Sequence, residues 1–380
     1  MLHTITEMME MLPVSVIRGN IVDVFSEVVF AGELRVENGR IQSIRRIIDE
    51  PVSGYILPGL IDAHVHIESS LLPPSQFAKL AVVHGTVGTV SDPHEIANVL
   101  GVAGVEYMLE DAARVPFHFA FGAPSCVPAT GFETAGAVLG EAEVRSLLAR
   151  SDIYYLTEMM NFPGVLHGDS EVLAKIEAAK AIGKPIDGHA PGLFGKDAYQ
   201  YIHAGMSTDH ECFTRDEAEG KLQYGMKILI REGSAARNFD TLFPLLKHHH
   251  DQMMFCSDDK HPDSLLDGHI NLHLKRAVLG GIPFMKAIQV ATKNPIEHYK
   301  LPCGLLREGD SADFIVVNNL QDFKVLRTII SGLEVARDGK SLISTEPASV
   351  LNNFQCTKIV PSSLEVVSQG DAFRVIDIVP

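Results

Sequence analysis

Several features that would place a protein in a particular class are missing from this sequence. Its 32 lysines and arginines are outnumbered by 48 aspartates and glutamates, which gives a formal net charge of −16. Proteins that bind nucleic acids need basic patches to neutralise phosphates, so we expect no nucleic-acid partner. The chain also has no run of about 18 consecutive apolar residues, so we expect no membrane-spanning helix.

Cysteine is scarce, with five residues scattered along the chain and no CxxC pair. A disulfide framework or a zinc cluster held by thiolates is therefore not expected, and a reducing cytoplasm suits this composition. The first residues include Glu7 and Glu10 and have no long apolar core, which differs from a secretory signal peptide. We predict a cytoplasmic protein.

What the chain does have is a long alternation of apolar strands and helices. With 380 residues, of which 46% are hydrophobic, it is long enough for a large α/β domain and a smaller one. Eight strand-and-helix units follow one another over about 240 residues, the length of a (β/α)8 barrel, or TIM barrel. A doubly wound sheet is the alternative, and the count of eight favours the barrel. The predicted strands are Leu60–His64, Val87–Ser91, Phe117–Gly122, Tyr154–Glu158, Pro185–His189, Ser207–His210, Lys227–Arg231 and Met253–Asp258.

Shorter β-rich segments flank the barrel at both ends of the chain. An Asn38-Gly39 turn in the first segment is typical of a hairpin, and strands are predicted again at Leu326–Ile330 and Leu333–Arg337. We predict that residues 1–57 and 305–380 form one small β-sandwich domain and that residues 58–304 form the barrel. The last residues, Phe373–Pro380, have the pattern of a further strand.

The most informative motif is His64-Val65-His66, which follows an apolar run. On a strand, residues i and i+2 point to the same side, so both imidazoles can reach one metal ion. Such a pair is common by chance in a chain with 17 histidines. It gains weight because later predicted strands also end in ligand-type side chains, and the carboxyl ends of barrel strands converge. These side chains are Glu158, His189, His210 and Asp258.

Four histidines and two carboxylates are a suitable ligand set for two divalent first-row metal ions. Glu158 is the natural bridge, because each oxygen of a carboxylate can bind one ion. A bridged pair of ions would lower the pKa of a shared water and supply hydroxide at neutral pH. Asp258 is placed to bind one ion, accept the proton of the water and pass it to a leaving group. Taken singly, Glu158 can also be a buried salt-bridge partner, and Asp258 a helix N-cap.

Longer motifs surround these residues, and together they resemble the bacterial and archaeal adenine deaminases of the amidohydrolase superfamily. The resemblance extends over residues 14–340, and its last part, Ala291–Pro295 followed by Gly309–Asp313, is similar to the superfamily's passage from barrel to sandwich. The most specific segments are Pro58–Ser70 (PGLIDAHVHIESS), Ser91–Gly101 (SDPHEIANVLG), Asp187–Gly192 (DGHAPG) and Ser257–Asp263 (SDDKHPD).

The resemblance implies an activity and a cofactor. The activity is hydrolytic deamination of adenine to hypoxanthine and ammonia in purine salvage, by a metal-bridged hydroxide. The cofactor is a binuclear centre of manganese or iron, with zinc as a further option, and the assembly is a homodimer or larger. Two alternatives stay open. One is another amidohydrolase acting on a different cyclic amidine or amide, and the other is a metal-loaded but catalytically silent binding subunit.

Further residues near the predicted barrel mouth are candidates for catalysis, namely His94 and Glu95, or for substrate contacts. His94 and Glu95 follow the second strand, and Glu95 is placed to hydrogen-bond a purine ring nitrogen, although a first-turn glutamate is also favoured by the helix dipole. The other candidates are Asp259, His261, Ser125 and Asn161. The His248-His249-His250 run precedes strand eight and is interpreted as a solvated surface run. Adenine deaminases of this type carry a further C-terminal domain, which this chain is expected to lack.

Overall fold

Two eight-stranded sheets organise the chain. The computed structural model describes residues 14–48, 50–351, 353, 355–367 and 369–376. Residues 1–13 of the predicted small domain and residues 377–380 of the predicted terminal strand lie outside the described residues. Among the described helices, none combines the length and apolar character needed to cross a membrane.

The first sheet is built from both ends of the chain. Its strands are β1 (Ser15–Asp23), β2 (Val28–Glu37), β3 (Arg40–Arg46), β4 (Tyr55–Pro58), β13 (Phe314–Val317), β14 (Val325–Ile330), β15 (Leu333–Arg337) and β16 (Lys340–Ser341). Their hydrogen-bonded order is β16-β15-β14-β13-β4-β1-β2-β3, with β1 and β4 parallel and the other pairs antiparallel.

The sheet folds over a core of its own. Leu34 and Ile41, from one end of the strand order, share a buried cluster with Phe314 and Ile329 from the other half. The backbone amide of Ile41 also donates to the carbonyl of Asp310 at 3.0 Å, which ties the edge strand β3 to the segment before β13. The predicted small β domain is confirmed in this form, as one sheet with two facing halves.

The second sheet is the predicted barrel. Its eight strands follow one another in chain order without the reversal that a doubly wound sheet requires, and the (β/α)8 prediction is confirmed. The strands are β5 (Leu60–Val65), β6 (Thr86–Ser91), β7 (His118–Ala123), β8 (Ile153–Met159), β9 (Ile186–Gly188), β10 (Thr208–Asp209), β11 (Lys227–Arg231) and β12 (Met253–Cys256).

The barrel closes where the first and last strands meet. Val65 and Asp258 form a parallel bridge just beyond β12. The amide of Asp258 donates to the carbonyl of His64 at 2.9 Å, and the amide of His66 donates to the carbonyl of Asp258 at 3.2 Å. Closure therefore brings the HxH motif against Asp258, although about 190 residues separate them in sequence.

Helices cover the outside of the barrel and pack on a continuous apolar core. The helices are Pro74–Ala81, His94–Leu100, Val102–Ala112, Glu141–Leu148, Phe162–His167, Ser170–Ala181, Gly195–Ala204, Arg215–Gln223, Phe239–Leu242, Leu246–His249, Pro262–Asp267, Ile270–Leu279, Phe284–Ala291 and Lys293–Tyr299.

Asp313 joins the barrel to the small sheet. Its buried carboxylate accepts hydrogen bonds from the amide of Ser331 at 2.7 Å and the amide of Gly304 at 2.9 Å. It also lies 3.1 Å from Nε2 of His118, the first residue of β7. Burial would raise the pKa of Asp313, but His118 and the two amides hold it below its usual value. The domain boundaries at 57/58 and 304/305 stay a prediction.

The prediction of a strand at Phe373–Pro380 is wrong for its described part. Residues 373–376 form no strand, and Phe373, Val375 and Ile376 are 60%, 83% and 97% exposed. A strand needs a neighbour to satisfy its backbone groups, and no described segment pairs with this one. Apolar composition alone was therefore insufficient evidence for β structure.

Candidate metal centre

Glu158 occupies the middle of the barrel mouth. It lies near the end of β8 and is 2% exposed. Its Oε1 is 3.4 Å from Nε2 of His66, while its Oε2 is 2.6 Å from Nδ1 of His189 and 3.2 Å from Nε2 of His210. The two oxygens of one carboxylate thus face histidines from different strands, which is the arrangement that the bridging hypothesis requires.

His64, His66 and Asp258 form the second part of the cluster. The Nε2 atoms of the two histidines are 3.2 Å apart. Oδ1 of Asp258 lies 3.5 Å from Nε2 of His64 and 3.2 Å from Nε2 of His66. Ligands bound at 2.0–2.2 Å to a tetrahedral ion are about 3.4 Å from one another, so these separations match a shared cation.

The donor atoms themselves fit divalent cations. The lone pairs of His64 and His66 would repel one another at 3.2 Å unless a proton or a cation lies between them. Nδ1 of His64 is also buried and has no hydrogen-bond partner among the described residues. All the donors are imidazole nitrogens and carboxylate oxygens, which suit manganese, iron and zinc alike. The chain therefore carries side-chain clusters that can hold divalent metal ions.

The site keeps its carboxylates ionised. Burial would raise the pKa of Glu158, but His189 and His210 hold it well below its usual value. Burial would also raise the pKa of Asp258, but hydrogen bonds from His64 and His66 lower this pKa below its usual value. Ionised carboxylates are the form that binds cations.

Asp258 adopts an unusual backbone conformation. Its φ angle is 56°, in the left-handed region that few non-glycine residues occupy. Nη1 of Arg231 donates to its Oδ2 at 2.7 Å, which leaves Oδ1 facing His64 and His66. Strain of this kind persists when the surrounding contacts hold it, and such residues cluster at functional sites.

His94 and Glu95 lie at the edge of the same cluster. Nδ1 of His94 is 3.0 Å from Oδ2 of Asp92 and 3.5 Å from Oε1 of Glu158. Burial would lower the pKa of His94, but Asp92 raises it to about 9. Oε2 of Glu95 is 3.3 Å from Nδ1 of His66. Both residues are therefore close enough to act on a molecule bound beside the histidines.

The remaining predicted residues have different surroundings. Asp259 accepts a hydrogen bond from Oγ of Ser69 at 2.5 Å, and His261 is exposed at the start of the helix Pro262–Asp267. Oγ of Ser125 donates to the carbonyl of Glu158 at 2.5 Å. Asn161 caps the helix Phe162–His167 by accepting the amide of Gly164. The last two side chains thus already have partners within the protein, and their substrate roles stay a prediction.

Arg231 is a site residue that the sequence reasoning passed over. It is 3% exposed, and it contacts Glu211 through both terminal nitrogens as well as Asp258. The signal was present, because Arg231 is the polar residue that ends strand seven, and the same rule selected Glu158. Asp92 was also not among the predicted residues. It lies in the segment Ser91–Gly101 and belongs to a cluster with His66, His94 and Glu158.

Comparison with known proteins identifies the family. The sequence model of the Amidohydrolase family matches residues 55–335, which is most of the chain. The chain belongs to the amidohydrolase family. Curated relatives include adenine deaminases from Sulfurovum sp., 57% identical over 337 residues and 89% of this chain, and from Salinibacter ruber, 53% identical over 360 residues and 95% of this chain. The chain spans 63% and 66% of the length of these two relatives.

Solved amidohydrolase structures share the fold at low sequence identity. Dihydropyrimidinase from Brevibacillus agri matches with a TM-score of 0.65 at 14% identity, covering 87% of this chain and 96% of that one. N-isopropylammelide isopropylaminohydrolase from Burkholderia multivorans matches with a TM-score of 0.62 at 16% identity, covering 87% and 100%. At such identities the likeness is one of architecture.

Proposed function

We propose that this chain is a hydrolase that deaminates adenine to hypoxanthine and ammonia, a reaction of purine salvage. The observation that carries the proposal is the convergence of four histidines and Asp258 around Glu158 at the barrel mouth. The substrate follows from the adenine deaminases that are 57% and 53% identical to this chain.

Six side chains would hold two divalent metal ions. His64, His66 and Asp258 would bind one ion, His189 and His210 the other, and Glu158 would contribute one oxygen to each. When bound, two such ions would lower the pKa of a water molecule so that it is a nucleophile at neutral pH. From the resemblance to the adenine deaminases we propose manganese or iron, with zinc as a further option, and the nitrogen and oxygen donors suit all three.

Asp258 is the proposed proton carrier. The reaction moves one proton of the attacking water to the exocyclic amine, which leaves as ammonia when its bond to the ring carbon breaks. The other proton ends on the adjacent ring nitrogen as the carbonyl of hypoxanthine forms. Arg231 occupies Oδ2 of Asp258, so Oδ1 is the oxygen that faces the cluster and can take and return that proton. His94 and Glu95, at the edge of the cluster, are proposed to hold the purine ring, with Asp259 and His261 on the adjoining loop.

The test compares two matched substitutions. We expect Asp258→Asn to lower ammonia release from adenine by about 10²–10⁴-fold, because the amide cannot carry the proton. Asp263→Asn makes the same chemical change on the exposed part of the next helix and is expected to have normal activity. Both are measured as the manganese-loaded protein, with hypoxanthine formation followed by absorbance and metal content determined on the same samples.

Three results would contradict parts of the proposal. Near wild-type turnover by Asp258→Asn would remove Asp258 from proton transfer. Turnover of another heterocycle with none of adenine would favour a different amidohydrolase. Two bound ions with no turnover of any purine would favour a silent binding subunit. The homodimeric or larger assembly is proposed from the resemblance to the adenine deaminases, and the cytoplasmic location from the scarcity of cysteine.

A further inference from the structure

Lys221 is a fully buried lysine whose ammonium is held by three acceptors. Its Nζ donates to Oδ2 of Asp209 at 2.5 Å, to Oε1 of Glu217 at 2.8 Å and to the carbonyl of Ala190 at 2.7 Å. The lysine side chain is 1% exposed, and those of Asp209 and Glu217 are 0% and 2% exposed. An ammonium has three N–H donors, and all three are used here.

Two of the three partners of Lys221 lie next to a proposed metal ligand. Asp209 directly precedes His210, and Ala190 directly follows His189. Glu217 extends the link, because its Oε1 accepts the amide of Gly192 at 2.8 Å, on the loop after β9. One buried cation and its partners thus connect the loops that carry the two histidines facing Oε2 of Glu158.

The strands leave these two histidines weakly fixed. β9 has three residues and β10 has two, and both end before the histidine that follows. His64, by contrast, lies within β5, and His66 is held by a backbone bond to Asp258. A short ladder restrains few backbone groups, so the positions of His189 and His210 depend on side-chain contacts. The amide of His189 donates to Oη of Tyr201 at 3.0 Å, and the carbonyl of His210 accepts from Nδ2 of Asn238 at 3.0 Å. Lys221 contacts residues next to both histidines.

Packing alone does not explain a charged residue at this position. Burying an ammonium is costly unless it is paired, and an apolar side chain would fill the space more cheaply. An ammonium supplies directional bonds to two loops, which a hydrocarbon cannot do. Residues that do not bind a metal but support its ligands keep those ligands oriented. Mutation of such residues lowers metal affinity or activity by about 10–100-fold.

We propose that Lys221 is a positioning residue that holds His189 and His210 in place for one ion of the pair. The proposal rests on the proposed metal centre. It assigns the lysine to one half of that centre, because Ala190 and Asp209 adjoin His189 and His210, whereas none of its three partners adjoins His64 or His66.

The experiment compares Lys221→Met with Lys184→Met. Nζ of Lys184 also donates to three acceptors, the carbonyls of Leu148, Arg150 and Ile153, but it lies at the opposite end of the barrel, just before β9. Each protein is titrated with Mn²⁺ against a competing chelator, and electron paramagnetic resonance distinguishes coupled from single ions. Thermal unfolding is measured on the same samples.

We expect Lys221→Met to bind one Mn²⁺ with wild-type affinity and the second about 10–100-fold more weakly. The coupled signal should be lost at low Mn²⁺ and return at high Mn²⁺. Lys184→Met should unfold at a lower temperature and bind both ions normally. If Lys221→Met does not fold, the same Mn²⁺ titration of Glu217→Gln tests the proposal. The glutamine oxygen can still accept the Gly192 amide, while the negative charge that pairs with Lys221 is lost.

Normal affinity for both ions in Lys221→Met, or in Glu217→Gln where that variant decides, would overturn the proposal. Equal weakening of both ions would do the same, because it would indicate a general structural role. Failure of the proposed function is distinguishable. A wild-type protein that binds two Mn²⁺ ions but releases no ammonia from adenine refutes adenine deamination and leaves the result for Lys221 intact.

Discussion

At the scale of single residues, Glu158 is the side chain on which the centre depends. Its two oxygens face different histidines, and its neighbours on β8 fix it at the mouth of the barrel. Glutamine has nearly the same shape but offers one carbonyl oxygen and no negative charge. Glu158→Gln therefore tests whether one carboxylate serves both proposed ions.

We expect Glu158→Gln to retain about one tightly bound ion where the wild-type protein retains two, since only one oxygen donor remains. The measurement is metal content after dialysis. Glu177→Gln, on the outer surface of the helix Ser170–Ala181, is the control and should retain both ions. Two tightly held ions in Glu158→Gln would argue against a bridging role.

His273 is a buried histidine that makes the fold sensitive to acid. It is 2% exposed, and its Nε2 donates to the carbonyl of Cys256 at 3.0 Å. Burial, with a further effect from Lys260, lowers its pKa to about 3. Between pH 6.5 and 3 the unfolded chain therefore binds a proton that the folded chain does not, so stability falls as the pH falls through this range.

We predict that His273→Gln weakens this dependence. Glutamine can still donate to the Cys256 carbonyl but does not titrate. The wild-type protein should lose about 2 kcal/mol more than the variant between pH 7 and pH 5, at 1.36 kcal/mol for each pKa unit. The measurement is urea unfolding at both pH values, with His167→Gln on an exposed helix end as the control. Parallel losses in His273→Gln and the wild-type protein would refute the prediction.

At the scale of elements, the segments between strands fix the site more than the strands do. β9 and β10 are short, and the loops that follow them are held by side-chain contacts. The other important connection is between the two sheets, where Asp313 accepts two amides and contacts His118. A buried carboxylate with this many donors is a specific link between domains.

We expect Asp313→Asn to lower the free energy of unfolding by about 1.5–3 kcal/mol, the range for hydrogen bonds to charged groups. The asparagine side chain has an NH₂ donor in place of one acceptor oxygen. This donor would face another donor, either a backbone N–H or His118. The measurement is the urea midpoint. Asp338→Asn, in the exposed turn between β15 and β16, is the control and should leave the midpoint unchanged. An unchanged midpoint in Asp313→Asn would show that the link is dispensable.

At the scale of the whole molecule, the candidate centre joins distant parts of the barrel. Its six side chains come from strands one, four, five, six and eight or from residues that follow them. Bound ions would therefore restrain most of the barrel at once. Such coupling makes the stability of the folded chain depend on metal concentration.

Removal of metal should accordingly lower the unfolding temperature. At a free ion concentration 100 times the dissociation constant, each bound ion adds about 2.7 kcal/mol to stability. Differential scanning calorimetry of chelator-treated and Mn²⁺-loaded protein measures the difference, and Glu158→Gln should show a smaller one. Identical unfolding temperatures for treated and loaded wild-type protein would mean that no ion binds to the folded state.

The sequence alone determined the architecture and most of the candidate site. Short apolar runs alternating with helical segments identified the barrel strands, and the parallel order made their carboxyl ends converge. His64, His66 and Glu158 followed from that rule, because alternation along a strand decides which side chains share a face. The local pattern misled at Phe373, where exposed apolar residues have no partner strand among the described residues.

The tertiary structure alone decided how these side chains are held. Asp258 has a left-handed backbone, and Arg231 contacts its Oδ2. The buried ammonium of Lys221 connects two loops. These contacts join residues from different strands and loops. No short motif encodes such contacts, because they depend on which loops meet when the barrel closes. Local periodicity sets the direction of a side chain, whereas its partners are set by packing of the whole chain.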